Sequence, residues 1–262
     1  MDFKQDIKAI FFDIDGTYYD HKTDSIPKSN IKAVKQLQKL GYKTALATAR
    51  PLQSIKDLPV FDEIQWDGIV CAGGQQVFNE RYELIYQDCF SKEELHNIFK
   101  IAEEHKITVY AYGDTPFFTQ DSPLCKNFVD TFNLNVNDIH PYQDEDIFLI
   151  TFIMEEGFRY EPLFQHMPKV RLQYAGILNT DLFPKNATKA SGIHQLMKYW
   201  NFNINAYLAF GDSGGDIEMI QDASIGVAMG NGSEACKSVA DYVCGNSNED
   251  GIYIFLKDHK FI

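Results

Sequence analysis

Cysteine is sparse and unpatterned in this chain. Five occur in 262 residues, Cys71, Cys89, Cys125, Cys236 and Cys244, an odd number with no C-x-x-C pair. Neither a disulfide frame nor a thiolate zinc site is expected, and the thiols read as reduced and mostly buried in a cytosolic protein. No apolar run approaches the roughly 18 residues of a membrane span. The opening MDFKQDIKAIFF sets acidic residues beside its first lysine and has only a short apolar stretch, unlike a secretory signal. Basic charge is also short: 24 Lys and Arg stand against 37 Asp and Glu, a net charge of -13. That balance argues against nonspecific binding to nucleic acid or anionic lipid, while leaving room for an anionic small substrate at a locally positive site. The seven histidines show no H-x-x-x-H spacing, and no repeat or low-complexity linker is visible.

What is present is a globular composition, 45% hydrophobic and 23% charged, in a chain whose length favours two domains over one. KAIFF reads as a buried strand. SNIKAVKQLQKLGYK follows with Ile31, Val34, Leu37 and Leu40 at helical spacing and Gly41 as a stop. KTALAT (strand), ARPLQSIKDL (short helix with Pro51 near its start) and DGIVCAG (strand) continue an alternation that signals a parallel sheet with helices on its faces. After about residue 80 the pattern changes to paired strands and helices. VFNERYELIYQD suggests a strand pair, SKEELHNIFKIAEEHK a helix with Ser91 as N-cap and Glu94 in the capping-box position, and a hairpin is expected around Gly113-Asp114. SPLCKNFVDTFN and EPLFQHM read as helices, IFLITFIM as a buried strand, and VRLQYA with ILNTDLF as a second hairpin. The aromatics of this segment, Tyr110, Tyr112, Phe117, Phe118 and Tyr174, are expected to be core. From about residue 184 the first pattern resumes. The architecture expected is an α/β, Rossmann-like parallel-sheet core from residues 1–84 and 183–262, interrupted by an α+β domain over 85–182.

Four short elements fall where the core strands end. They are Asp13-Ile-Asp15-Gly16-Thr17, Thr48 with Arg50, Lys189 at a helix start, and the acids Asp212 and Asp216 of GDSGGD. Parallel strands end at one edge, where such sheets bind ligands. Two unit charges about 4 Å apart cost on the order of 4 kcal/mol at an effective dielectric of about 20, so four carboxylates there call for a cation. Oxygen donors without His or Cys point to Mg²⁺. A carboxylate needs no base to attack phosphorus, which suits Asp13 as nucleophile; Asp15 is placed to serve as acid and base, and Thr48 and Lys189 to hold phosphoryl oxygens. DIDG alone is ordinary turn chemistry and only faintly like a calcium loop, since an apolar strand and not a helix leads into it. Lys189 alone would be a solvated helix-start lysine, Arg50 reads equally as a surface charge or a phosphate contact and stays outside the catalytic set, and Asn231 and Asn248 read as turn residues.

DIDGT, the threonine of ATAR, the lysine of ATKASG and GDSGGDIEM resemble, in order, the four motifs of the haloacid dehalogenase superfamily of phosphatases. IGVAMGNGSEACKSVADYVCGNSNEDGI further resembles the C-terminal segment of its Cof-type branch. That resemblance implies a cytoplasmic Mg²⁺-dependent phosphatase of a small phosphorylated metabolite, such as a sugar phosphate or phosphorylated cofactor, working through an aspartyl-phosphate, with the inserted domain as a substrate-specificity cap. It makes Asp13 the nucleophile, Asp15 the acid/base with its backbone carbonyl on the metal, Thr48 and Lys189 phosphate ligands, and Asp212 and Asp216 metal-side acids. A phosphomutase, or a weakly active phospho-ligand sensor, are the alternatives on the same scaffold. The chain departs from the family at Gly215, where Asn is usual, at Ala49 for Gly, and at Ala72 where an Asn-Gly pair is common.

Overall fold

The structure is a computed structural model, and it describes residues 7–113, 115–132, 134–155, 161–174 and 179–262. The first six residues, Asp114 of the expected turn, and residues 175–178 of the second hairpin lie outside the described residues, as does the side chain of Tyr174.

The chain opens with β1 (Ala9–Phe12), α1 (Lys28–Lys39), β2 (Lys43–Ala47), α2 (Leu52–Lys56), β3 (Gly68–Cys71), β4 (Gln76–Asn79) and β5 (Leu84–Gln87). Then come α3 (Lys92–Glu104), β6 (Thr108–Tyr112), β7 (Pro116–Phe118), α4 (Pro123–Phe132), β8 (Asp138–Ile139), β9 (Leu149–Ile153), α5 (Glu161–Phe164), β10 (Val170–Tyr174) and β11 (Asn179–Pro184). It closes with α6 (Lys189–Tyr199), β12 (Tyr207–Gly211), α7 (Ile217–Asp222), β13 (Ile225–Ala228), α8 (Glu234–Lys237), β14 (Tyr242–Val243) and α9 (Gly251–Asp258). Two compact units result, Met1–Gln87 with Thr188–Ile262, and Asp88–Ala187, the chain crossing between them after β5 and β11 are complete.

In the first unit the described strands form one sheet in the order β14-β13-β12-β1-β2-β3-β4-β5. It is parallel from β14 through β3. β4 pairs antiparallel with both β3 and β5, because short connections join the three in succession and leave no room for a crossover. The strand order runs outward in both directions from the β1–β12 pair, which makes that pair the switch point where a crevice opens beyond the carboxyl ends. Burial on both faces explains why the central strands are apolar runs without alternation. Ile10 and Phe12 of β1 join the layer containing Val34 and Leu37 of α1 and Ile252 and Leu256 of α9. Ala9 and Phe11 face the layer of Ile193, Leu196 and Met197 of α6 and Met219 of α7. Each fully buried phenylalanine contributes about 1.5–3 kcal/mol relative to exposure.

Leu40 corrects the expected helix face: α1 ends at Lys39, and Leu40, as its C-cap, is 62% exposed. In the second unit the described strands order β10-β11-β9-β6-β7-β8 and are antiparallel except for the β7–β8 pair. Val109, Ala111, Ile150 and Leu182 pack with Leu95 and Ile98 of α3, while the rings of Tyr110 and Phe118 meet Phe128 of α4. Tyr110, Phe117 and Phe118 are buried, whereas Tyr112 is half-buried. Ser91 caps α3 in a reciprocal capping box with Glu94.

Candidate active site

The Asp13 N–H donates to the Phe210 carbonyl at 3.0 Å, extending the β1–β12 ladder one residue past the strand. The chain then turns sharply. Gly16 sits at φ +79°, and a Cβ there would stand 2.5 Å from Asp212 Oδ2, so both the backbone conformation and the approach of Asp212 demand glycine. Thr17 Oγ1 donates to Asp212 Oδ1 at 3.3 Å. Asn231 pins the turn from outside: its Nδ2 donates to the Gly16 carbonyl and its Oδ1 accepts from the Ser247 N–H, both at 2.7 Å.

Lys189 is the first residue of α6, whose N-cap Thr188 forms a capping box with Ser191. Gly74, at φ +102°, lets the turn after β3 press onto the start of that helix, since a Cβ would fall 1.8 Å from the Thr188 carbonyl oxygen. So held, the Lys189 ammonium is buried between two carboxylates, 2.6 Å from Asp13 Oδ1 and 2.5 Å from Asp216 Oδ1. Burial works against its charge, but Asp13 and Asp216 outweigh that and raise its pKa. The second oxygen of Asp216 accepts from the Asp212 N–H at 3.0 Å and from the Ser213 N–H and Oγ at 2.9 Å. Gly215, in the turn Gly214–Asp216, is buried, and its N–H donates to Ser213 Oγ.

Asp13, Asp212 and Asp216 each bring an oxygen within 4.8 Å of the others. Burial first, then the Asp216 charge, drives the Asp13 carboxyl well above the usual carboxylate range, against the pull of Lys189. The same two causes push Asp212 up to about 6. One ammonium does not balance this set, and its donors are all oxygen, so the residues fit a hard divalent cation.

Thr48 stands one strand over, buried at the end of β2; its N–H donates to the Val70 carbonyl and its Oγ1 accepts from the Arg50 N–H at 3.1 Å. Asp15 sits differently. Its carboxylate lies in a two-pronged bridge with Arg50, Nε to Oδ2 at 2.7 Å and Nη2 to Oδ1 at 2.8 Å, and Oδ1 is also 2.7 Å from His21 Nε2. Burial raises its pKa, yet the hydrogen bonds and charge of Arg50, with His21, more than reverse that and hold Asp15 below the usual range. The sequence keeps Arg50 outside the catalytic set and reads Asn231 only as a turn residue, and it does not single out His21. Arg50 has a signal in its place two residues after Thr48; His21 has none.

The description "haloacid dehalogenase-like hydrolase" fits residues 10–256 as a single family model. The chain belongs to this family. It is 31% identical over 258 residues to a Bacillus subtilis (strain 168) protein named "Putative phosphatase YkrA", covering 97% of this chain and 98% of that one. Another relative of this haloacid dehalogenase-like chain, 5-amino-6-(5-phospho-D-ribitylamino)uracil phosphatase YcsE of the same organism, is 23% identical over 247 residues, 94% of this chain and 93% of its own. Among solved structures, the haloacid dehalogenase subclass IIB sugar phosphatase BT4131 superposes with a TM-score of 0.86 at 28% identity, over 97% of this chain and all of its own. Among the described residues, no helix is long and apolar enough to cross a membrane.

Proposed function

We propose that this protein is a cytoplasmic Mg²⁺-dependent phosphatase that hydrolyses a small phosphorylated metabolite, a sugar phosphate or a phosphorylated cofactor, through an aspartyl-phosphate. The observation that carries the reading is the Asp13 carboxylate at the switch-point edge, fixed by Lys189 among three converging acids. Asp15, which Arg50 and His21 hold below the usual carboxylate range in the free enzyme, takes up a proton as the phosphate charge arrives beside it. An Asp13 oxygen then attacks phosphorus, and the ester P–O bond breaks as Asp15 hands that proton to the departing oxygen. Water then attacks the acyl phosphate, Asp15 takes its proton, and the bond between phosphorus and Asp13 breaks to free the carboxylate and inorganic phosphate. Thr48 Oγ1 and the Lys189 ammonium hold the phosphoryl oxygens while charge shifts among them. Asp13, Asp212, Asp216 and the Asp15 carbonyl would hold Mg²⁺, which when bound offsets the charge of the acids and of the phosphate.

The phosphatase names among the relatives support the reaction class, and the sugar and ribityl phosphates in two of those names support the substrate class. The second unit serves in this reading as the cap that selects the organic part of the substrate. Release of phosphate from an aryl phosphate, with Mg²⁺ and with chelator, tests the assignment. Turnover is expected only with the cation, and Asp13→Asn is expected to abolish it with circular dichroism unchanged. Near-normal steady-state turnover by that variant would remove the covalent route.

A further inference from the structure

The bridge on Asp15 conflicts with the work assigned to that residue. Both carboxylate oxygens are taken, Oδ2 by Arg50 Nε and Oδ1 by Arg50 Nη2 and His21 Nε2. In this arrangement Oδ1 is filled by two donors and Oδ2 is held by Arg50 Nε, and the bridge that ties both oxygens also keeps the carboxyl from taking up the proton a leaving oxygen needs. Charge sharpens the conflict. Among the described residues, the cations bonded to Asp13, Asp15, Asp212 and Asp216 are Lys189, Arg50 and, when protonated, His21. Lys189 is 4% exposed and already shared by two acids, while the Arg50 side chain is 30% exposed and stands on the same turn as Thr48. A phosphate ester brought to Asp13 adds two negative charges beside Asp15, two residues on. The guanidinium fork matches phosphate as well as it matches carboxylate.

We propose that Arg50 is a substrate-binding residue that exchanges partners: it holds Asp15 in the free enzyme and moves to the phosphoryl oxygens when the ester arrives, vacating an Asp15 oxygen for the leaving group. One side chain thereby couples phosphate capture to the freeing of the acid, so that Asp15 is opened only when a phosphate is in place. This rests on the phosphatase reading above, and it gives a role to a residue that stands beside Thr48 but outside the catalytic set.

The test is calorimetric binding of inorganic phosphate, in saturating Mg²⁺, to the full-length protein, Arg50→Gln and Arg50→Lys, followed by kinetics on 4-nitrophenyl phosphate and glycerol 2-phosphate. Arg50→Gln should bind phosphate about tenfold more weakly or worse, with KM raised to match for both esters and kcat on the alkyl ester kept or increased. Arg50→Lys keeps the charge and loses the fork, so a several-fold weakening there marks lost contacts and not a lost field; this variant also carries the comparison should the glutamine variant fail to melt cooperatively. Phosphate affinity equal to wild type in both variants overturns the exchange. So does a fall in kcat on the alkyl ester at constant KM, which would mean that Arg50 steadies Asp15 without leaving it. If the wild type hydrolyses neither ester, the phosphatase reading fails on its own, while the binding comparison still decides whether Arg50 takes phosphate.

Discussion

At the scale of single residues, the site depends on approach distances as much as on reactive groups. Gly16 is the sharpest case, since a methyl group there meets Asp212 at 2.5 Å on a backbone already at φ +79°. Gly16→Ala is expected to cost about 1–3 kcal/mol in unfolding free energy and to weaken Mg²⁺ binding by displacing Asp212; denaturant melts and metal titration check both. Gly215 behaves in the opposite sense. It adopts no positive φ, and its N–H is donated within the turn to Ser213 Oγ, a bond that an asparagine backbone makes equally well. Gly215→Asn is therefore expected to keep or raise turnover, and a clear loss of Mg²⁺ affinity would show the turn to be built around the glycine. The reactive residues are legible in the sequence because each ends an apolar run or opens a helix. The pairing of Asp15 with Arg50 and His21 is not, because it is made across loops by side chains that are individually ordinary surface charges.

At the scale of elements, local signals succeed where they are complete within a few residues. The Ser91–Glu94 box and the short helix that opens at Pro51 are read from positions within a few residues and stand as expected. Helix α9 carries Ile252, Phe255 and Leu256 at helical spacing, but its start is unmarked: it opens after Asp250 in the left-handed region at φ 58°, without a side-chain cap. The antiparallel pairing of β4 with β3 and β5 follows from turn length, which strand patterning does not report.

The β9–β11 pair supports a prediction of its own. Thr151 and Asp181 lie directly opposite each other, Thr151 Oγ1 donates to Asp181 at 2.6 Å, and burial pushes the acid up to about 6. With a folded pKa above the unfolded one, the folded chain binds the proton more tightly, so this site favours folding below about pH 4 and loses that favour as pH rises to about 6. Asp181→Asn should accordingly raise the melting temperature by a few degrees at pH 7, on the order of 1 kcal/mol, and change nothing below pH 4. Melts across that range would show equal gains at both ends if charge were irrelevant.

At the scale of the whole molecule, the motifs all lie outside the inserted unit, which has its own sheet and core. Exchanging residues 88–187 for the corresponding unit of a relative with other substrates is expected to transfer substrate ranking while Mg²⁺ dependence stays with the parent. A folded chimera that still ranks a metabolite panel as the parent does would place selection in the first unit.

The central position of β1 has a further consequence, for the order in which the protein is assembled. This strand is the first of the described strands to be synthesised, yet one of its two neighbours, β12, comes after the entire insertion, and the contact between Asp13 and Lys189 spans 176 residues. Closing a flexible loop of about 100 residues in place of one of about 10 costs roughly 2 kcal/mol more in chain entropy. An inserted unit that collapses by itself shortens the effective loop before the two ends of the sheet must meet. Amino-terminal β1 then waits during translation with one flank unpaired, and slow zippering of β12 onto it is the expected rate-limiting event of refolding.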